Sequence, residues 1–279
     1  MSQIYDALQK VKSSAKGAMG VAKPKPRVRL TPEKRPGHVV APLTESSLAA
    51  AATRVKLDPR VMQANRVVAT SDKQGMNTAY KMLRTRILQR MRANSWNRLA
   101  ISSARPSAGK TLTAINTAIS LSIETNQQVI LADLDLRRPS IARYLGIRQK
   151  HGLSDYLTSD VPIEKIIVKP NIERLLIVPN FRAYEHSSEL LSSPRMVELV
   201  NFLARPDNST IVIFDLPPLL DADDVLAFSP LCDALLMVVS HYETRQVDLE
   251  KSFELMHDIN ILGVVLNKSR GNDETPGYY

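Results

Sequence analysis

Short runs of Val, Ile and Leu alternate with helix-like segments over the C-terminal three quarters of the chain, from about residue 73. The runs contain few polar residues, as strands do when both faces of a sheet are buried. They predict strands at 98–104, 128–134, 174–180, 210–216, 234–240 and 261–267. The intervening segments predict helices at 109–125, 194–204, 221–229 and 243–258, preceded by an amphipathic helix within 77–94. This alternation predicts an α/β fold, a mostly parallel sheet with helices on both faces, which binds its ligand beyond the carboxyl ends of the strands.

The sequence ARPSAGKT, residues 104–111, lies between the first predicted strand and the helix that follows it. It matches the phosphate loop G-x-x-x-x-G-K-[ST], except that Ala104 replaces the first glycine. In such a loop, backbone N–H groups at a helix N-terminus bind phosphate oxygens, the lysine reaches the β- and γ-phosphates, and the hydroxyl of Thr111 ligates Mg²⁺. A Gly-Lys-Thr tripeptide also occurs by chance in ordinary turns. The strand before it and the helix after it favour a nucleotide site.

Three aspartates follow or end buried strands. Asp133 and Asp135 are two residues apart, so they lie on the same side of their strand. Asp215 ends a second strand, where a Walker B carboxylate holds Mg²⁺ directly or through water. An alternative is that one aspartate of the pair caps the following helix, which explains one carboxylate but not both. With the phosphate loop, the three acids predict one site for ATP and Mg²⁺.

The positive charge is concentrated at the N-terminus. Residues 1–70 contain 13 Lys and Arg against 4 Asp and Glu, whereas residues 71–279 contain 24 of each. A basic segment beside a neutral domain predicts contact with something anionic, or simply a solvated linker. It has no interleaved aromatic residues and the chain has no helix-turn-helix signal, so we do not expect nucleic acid to be the partner. The single cysteine, Cys232, excludes a disulfide framework within the chain.

The sequence divides into four parts. Residues 1–16 carry Ile4, Leu8 and Val11 at helical spacing and predict an amphipathic helix. Residues 17–70 are predicted to be a basic, proline-rich linker, residues 71–268 the P-loop domain and residues 269–279 a polar tail. No stretch approaches the ~18 apolar residues of a membrane span, and the N-terminus lacks the apolar core of a signal peptide. We therefore expect a soluble chain that reaches a membrane through a partner or through residues 1–40.

These motifs resemble those of the bacterial tyrosine kinases of capsule and exopolysaccharide biosynthesis, a P-loop group related to the MinD and ParA ATPases. SARPSAGKT is similar to that family's S-x-x-P-G-E-G-K-[ST], which also lacks the first glycine, and departs from it at Ser107 and Ala108. DLDLRRP (133–139) and IFDLPP (213–218) resemble the family's two acidic motifs. The resemblance extends from about residue 75 to 268 and includes GLSDYL (152–157), SELLSSPRM (188–196) and GVVLN (263–267). The opening MSQIYDAL resembles members encoded with exopolysaccharide and exosortase systems.

The resemblance implies transfer of the ATP γ-phosphoryl group to tyrosines. It implies that Lys110, Asp133 and Asp135 are catalytic, with either aspartate as the base, and that Thr111, Asp133 and Asp215 hold the metal. The implied acceptors are Tyr278 and Tyr279, and the nucleotide-binding residues are Arg105, Pro106, Ser107, Ala108, Gly109, Lys110, Thr111, Leu112 and Asn267.

The resemblance also implies partners. A transmembrane polysaccharide co-polymerase would activate the kinase, which would then be cytoplasmic and peripheral to the inner membrane. Homo-oligomers would form through the helix at 75–92, although the family's E-x-x-R-x-x-R motif here reads Thr78, Lys81 and Arg84. The alternative function is a MinD- or ParA-like ATPase switch that recruits partners without phosphorylating tyrosine. Arg105 supports this alternative, because it takes roughly the place of the additional loop lysine of those ATPases.

Overall fold

The structure, a computed structural model, describes residues 51–68, 74–124, 127–204 and 210–269. The predicted helix at 1–16 and nearly all of the predicted tail at 269–279, including Tyr278 and Tyr279, lie outside these residues. In the described segments, no helix combines the length and the apolar character needed to cross a membrane.

The described residues form an eight-stranded sheet flanked by helices. The strands are β1 (Thr53–Val55), β2 (Arg98–Ser103), β3 (Gln128–Asp133), β4 (Val168–Pro170), β5 (Leu175–Val178), β6 (Thr210–Asp215), β7 (Ala234–Ser240) and β8 (Ile261–Asn267). The α-helices are α1 (Pro59–Ala64), α2 (Gln74–Ala93), α3 (Lys110–Glu124), α4 (Ile141–Leu145), α5 (Leu153–Thr158), α6 (Ser187–Leu191), α7 (Pro194–Leu203), α8 (Asp224–Phe228) and α9 (Gln246–Leu255). Two 3₁₀ turns complete the described elements, at Ile163–Lys165 and Ser229–Leu231.

The strand order is β1-β4-β5-β3-β6-β2-β7-β8. All neighbouring pairs are parallel except β4 and β5, so β1 and β4 run against the other six strands. The predicted α/β class with a mostly parallel sheet is confirmed. The predicted strands match β2, β3, β5, β6, β7 and β8, whereas the short strands β1 and β4 were missed.

Both faces of the sheet are buried, because alternate residues of each central strand pack on opposite sides. In β3, Val129 and Leu131 pack with α2, α3 and α4, while Ile130 and Ala132 pack with the helices of the other face. Both sets of side chains are apolar, which is why the strands appear in the sequence as unbroken hydrophobic runs. The carboxyl ends of β2, β3 and β6 therefore meet at one edge, between the two helical layers.

Residues 51–68 are part of the domain. The sequence analysis placed them in a linker that ended at residue 70, whereas in the structure they pack with the rest of the domain. Strand β1 pairs with β4, and Leu57, Met62 and Val67 lie in the same core as α3 and α4. Asn116 Oδ1 accepts a hydrogen bond from Val68 N at 2.8 Å. The composition of the segment is linker-like, but its few apolar residues face the core.

Replacement of Met62 by Ala should therefore destabilise the whole domain. Met62 is 6% exposed, and truncation of a buried Met typically lowers the free energy of unfolding by about 2–5 kcal/mol. The exposed neighbour Gln63 provides the control, since Gln63→Ala should change stability by less than about 0.5 kcal/mol. Urea denaturation followed by circular dichroism measures both variants, and equal effects would contradict the packing of this segment.

Candidate active site

The phosphate loop connects the end of β2 to the start of α3, as the sequence predicted. Gly109 has a φ of +92°, and a Cβ at this position would overlap the side-chain amide of Asn267. Asn267, at the end of β8, donates from Nδ2 to the carbonyl oxygen of Ala108 at 2.9 Å. Gly109 is thus required both for its backbone conformation and for its lack of a side chain. Asn267, predicted to bind nucleotide, holds the main chain of the loop in this structure.

Ser107 also adopts the left-handed conformation, with a φ of +63°. Non-glycine residues pay a conformational cost there, which explains why a glycine suits this position in the family pattern. Ser107 and Pro106 are exposed, whereas Ala108 is buried in the core beneath the loop. The departure at Ser107 therefore places strain in the part of the loop that would face the nucleotide.

Lys110 lies at the centre of the site. Its side chain is 10% exposed, and its Nζ lies 2.7 Å from Asp135 Oδ2 and 3.6 Å from Asp215 Oδ1. It also donates to Thr111 Oγ1 at 3.3 Å. The predicted convergence of the phosphate loop with the acidic strand ends is thus observed directly.

Asp133 and Asp215 are direct neighbours, because they pair in register at the ends of β3 and β6. Asp133 Oδ2 accepts hydrogen bonds from the backbone N–H groups of Ser140 and Ile141, both at 2.9 Å, at the start of α4. The capping interpretation is therefore correct for Asp133, while Asp135 contacts Lys110. Ser140 was not predicted, and its hydroxyl donates to Thr111 Oγ1 at 3.2 Å, which links the cap to the phosphate loop.

Burial dominates the electrostatics of this cluster. It raises the pKa of Asp133 well above the usual range, and the adjacent Asp215 carboxylate raises it further. Burial also raises the pKa of Asp215, although the Lys110 ammonium lowers it in part. Burial alone would lower the pKa of Lys110, but Asp215 and Asp135 outweigh this effect and raise it. Lys110 is therefore a cation, and its single positive charge only partly balances the negative charge of the carboxyl groups around it.

The residues present fit a divalent cation bound together with phosphate. Asp133 Oδ1 and both oxygens of Asp215 are buried, and no described residue donates a hydrogen bond to them. The described residues contain no group of three or more His, Cys, Asp or Glu side chains arranged to hold a metal by themselves. P-loop sites need no such group, because a Thr hydroxyl, a carboxylate, water and the nucleotide phosphates share the ion.

Two more of the predicted nucleotide-binding residues have other contacts here. The Arg105 guanidinium lies 3.2 Å from Asp248 and 3.5 Å from Asp221, so it joins the phosphate loop to α9 and to the loop after β6. Leu112 is partly buried and packs against the core around α3, which leaves only its backbone to face a phosphate.

A further buried carboxylate, close to the loop after Asp135, was not predicted. Asp224, at the start of α8, lies 3.4 Å from Arg137 Nε, which also donates to Ser187 Oγ at 2.9 Å. Burial raises the pKa of Asp224, while Ser187 and Arg137 lower it in part. This contact ties the loop after Asp135 to the loop after Asp215. Nothing in the sequence pairs these residues, since they come from separate elements.

Several curated proteins are similar to this chain along most of its length. AmsA of Erwinia amylovora, which bears a tyrosine-protein kinase name, is 32% identical over 216 residues, which cover 76% of this chain and 29% of AmsA. The tyrosine-protein kinase YwqD of Bacillus subtilis is 28% identical over 221 residues, which cover 78% of this chain and 92% of YwqD. The chain is a homologue of the bacterial tyrosine kinases. The succinoglycan biosynthesis transport protein ExoP of Rhizobium meliloti is also related, at 33% identity over 63% of this chain and 22% of ExoP. The chain thus spans less than a third of AmsA and ExoP but most of YwqD, and no protein-family model matches it.

Solved structures agree with this relationship. The kinase domain of the Escherichia coli tyrosine kinase ETK superposes with a TM-score of 0.65 at 25% identity, covering 76% of this chain and 84% of that chain. MinD of Pyrococcus horikoshii, solved with Mg-ADP, superposes with a TM-score of 0.52 at 20% identity over 64% of this chain and 73% of that chain, which shows a shared fold. The predicted MinD-like P-loop fold is confirmed. The alternative function as a partner-recruiting switch is not favoured, because the relatives AmsA and YwqD are named as kinases.

Replacement of Gly109 by Ala should weaken ATP binding by at least about tenfold, because a left-handed alanine costs about 1–2 kcal/mol and its methyl group would displace Asn267 from the loop. Gly263→Ala is the matched control, because a methyl group there would meet Arg90 Nη1 at an ordinary 3.5 Å. Isothermal titration calorimetry with Mg²⁺ and a non-hydrolysable ATP analogue measures both affinities. Unchanged affinity in Gly109→Ala would contradict the role of the loop.

Asp215→Asn should stabilise the protein at alkaline pH when nucleotide and Mg²⁺ are absent. A raised pKa means that native Asp215 binds a proton more tightly than the unfolded chain does, so native stability falls as pH rises through this window. Asn carries no charge at any pH, so the stability of Asp215→Asn does not fall in this way as pH rises. The stability gain over the parent should therefore be larger at pH 8 than at pH 4, in thermal melts with EDTA.

Asp160→Asn, which replaces an exposed acid, provides the control. Its difference in thermal stability from the parent should not grow from pH 4 to pH 8. A gain for Asp215→Asn that grows toward acid pH would have the wrong sign and would contradict the buried carboxylate pair.

Proposed function

We propose that this protein is an ATP-dependent protein-tyrosine kinase that phosphorylates itself and acts in exopolysaccharide or capsule production. The observation that carries the proposal is the position of Lys110 at the N-terminus of α3. Its Nζ lies 2.7 Å from Asp135, which follows β3, and 3.6 Å from Asp215, which ends β6. The named kinases among its relatives support the reaction class, and the name of ExoP supports the link to polysaccharide.

ATP would bind over the phosphate loop, with backbone N–H groups of residues 105–112 around its phosphates. Lys110 would then exchange a carboxylate for the β- and γ-phosphates, which carry more charge than Asp135 does. Thr111, Asp133 and Asp215 would hold Mg²⁺, which when bound neutralises phosphate charge and stabilises the transferring phosphoryl group.

The exchange at Lys110 suggests which aspartate is the base. Asp133 Oδ2 is engaged by two backbone N–H groups that α4 holds in place. Asp135 Oδ2 is engaged by Lys110, and its other oxygen accepts from Arg138 N at 2.9 Å. When Lys110 moves to the phosphates, Asp135 Oδ2 becomes free to accept the proton of a tyrosine hydroxyl. That hydroxyl oxygen bonds to the γ-phosphorus, the bond from this phosphorus to the β-phosphate oxygen breaks, and ADP leaves.

The proposed acceptors are Tyr278 and Tyr279, presented by a neighbouring subunit. Oligomers would form through α2, whose exposed side includes Lys81 and Met82. Arg84 is buried and donates to the carbonyl oxygen of Ser120 at 3.3 Å, so it supports the packing of α2 on α3 and does not belong to that surface. A transmembrane polysaccharide co-polymerase would act as the activator and would hold the kinase at the cytoplasmic side of the inner membrane, with residues 1–40 assisting on anionic lipid.

Phosphotyrosine mass spectrometry of the purified protein with Mg-ATP and an activator tail tests the proposal. Lys110→Ala should abolish the signal, because the transferring phosphoryl group loses its buried cation. Lys251→Ala, which removes an exposed lysine of α9, should leave the signal intact. Replacement of both Tyr278 and Tyr279 by Phe should remove most of the signal while ATP binding persists. Phosphate release and ATP-dependent dimerisation without phosphotyrosine would instead support the switch.

A further inference from the structure

One side of the domain carries an excess of positive charge that the site does not use. We call it the basic edge and define it by Arg54, Lys56, Arg60, Arg66, Arg143 and Arg148, all of them exposed. The first four belong to β1, α1 and the residues that follow each of them, and the other two to α4 and the turn after it.

Side-chain contacts and strand pairing bring these elements together. Asn65 Nδ2, at the end of α1, donates to the carbonyl oxygen of Tyr144 in α4 at 3.0 Å. A Cβ on Gly146 would lie 3.2 Å from Val61, so the turn after α4 packs directly on α1. Arg54 also pairs in register with Lys169 of β4, which places two cations side by side. These contacts place α1 against α4 and β1 beside β4, so the cations of the basic edge come from elements that pack on one another in pairs.

The segments that form the basic edge contain a single acidic residue to set against its positive charge. Residues 51–68 contain four basic residues and one acid, Asp58, whose carboxylate caps α1 by accepting from Arg60 N at 2.8 Å. Residues 141–151 contain three Lys and Arg residues and no acid. Across the described segments, no carboxylate forms an ion pair with any cation of the basic edge, whereas Arg105, Arg182 and Arg245 all have carboxylate partners.

Clustered like charges repel, so such a surface is stabilised by an anionic partner. Its cations are exposed and come from several elements, which suits an extended anionic surface better than one small ligand. The chain adds to this charge, because residues 1–50 contain nine Lys and Arg against three Asp and Glu and lead directly into β1. Within that segment, Ile4, Leu8 and Val11 form an apolar stripe at helical spacing beside the lysines, a pattern typical of peptides at a membrane surface.

We infer that the basic edge docks the folded domain on an anionic phospholipid bilayer, together with the N-terminal segment. Nucleic acid also presents phosphate groups to the cations, but it has no apolar interior in which the stripe of Ile4, Leu8 and Val11 could be buried. An anionic bilayer binds both the cations and the apolar side chains. The inference does not depend on kinase activity, because it concerns binding alone.

Vesicle sedimentation with the full-length protein tests this inference, using phosphatidylcholine vesicles with and without phosphatidylglycerol. The parent should bind only the anionic vesicles. The triple variant Arg54→Gln, Arg60→Gln and Arg148→Gln should partition about a hundredfold more weakly, since each surface cation contributes about fivefold to binding of an anionic bilayer. The triple variant with Lys at the same three positions should bind like the parent, because it keeps the charge.

A matched control separates the basic edge from net charge. Arg86→Gln, Arg92→Gln and Lys251→Gln together remove the same charge from exposed positions elsewhere and should weaken binding far less. The inference would be overturned if the two triple Gln variants lost vesicle binding equally. It would also be overturned if the basic-edge triple Gln variant kept the thermal stability and the vesicle binding of the parent. Tight binding of duplex DNA that depends on the basic edge, with no binding of anionic vesicles, would overturn it in favour of nucleic acid.

Discussion

The site depends on one ammonium group placed among buried carboxylates. Asp133 and Asp215 end neighbouring parallel strands in register, and Asp135 follows two residues after the first of them. Buried like charges at this spacing are costly, and only Lys110 offsets them directly within the described residues. This arrangement of charges favours the binding of a divalent cation together with an anion that draws Lys110 away.

The sheet makes this arrangement possible. Because β2, β3 and β6 are parallel and adjacent, their carboxyl ends present the phosphate loop and both acidic motifs at the same edge. These strands are apolar on both faces and pack against helical layers, which holds that edge in place. Supporting contacts from further elements complete it: Asn267 from β8 holds the phosphate loop, and Ser140 links the cap of α4 to Thr111. These residues hold the groups that react, and they would themselves remain in place as Lys110 moves.

The N-terminal part of the described chain has two roles that composition alone conceals. Its apolar residues Leu57, Met62 and Val67 extend the core, while its arginines and lysines form much of the basic edge. The same short segment therefore contributes apolar side chains to the core and positive charge to the surface. The proposed kinase chemistry and the proposed membrane contact use different side chains of one domain.

The sequence by itself determined the central fold and predicted the residues that form the candidate site. Unbroken apolar runs predicted six strands, and the spacing of Gly109, Lys110 and Thr111 relative to a strand and a helix predicted the phosphate loop, because these are local patterns. Strands β1 and β4 were missed because each has only three residues and β1 is defined by pairing with a distant segment, Thr53 with Val168. Only the tertiary structure showed that Asp133 caps a helix while Asp135 contacts Lys110, that Arg84 is buried and that Asp224 meets Arg137. Each of these depends on how separate elements pack, and packing brings together residues whose spacing in the chain carries no signal.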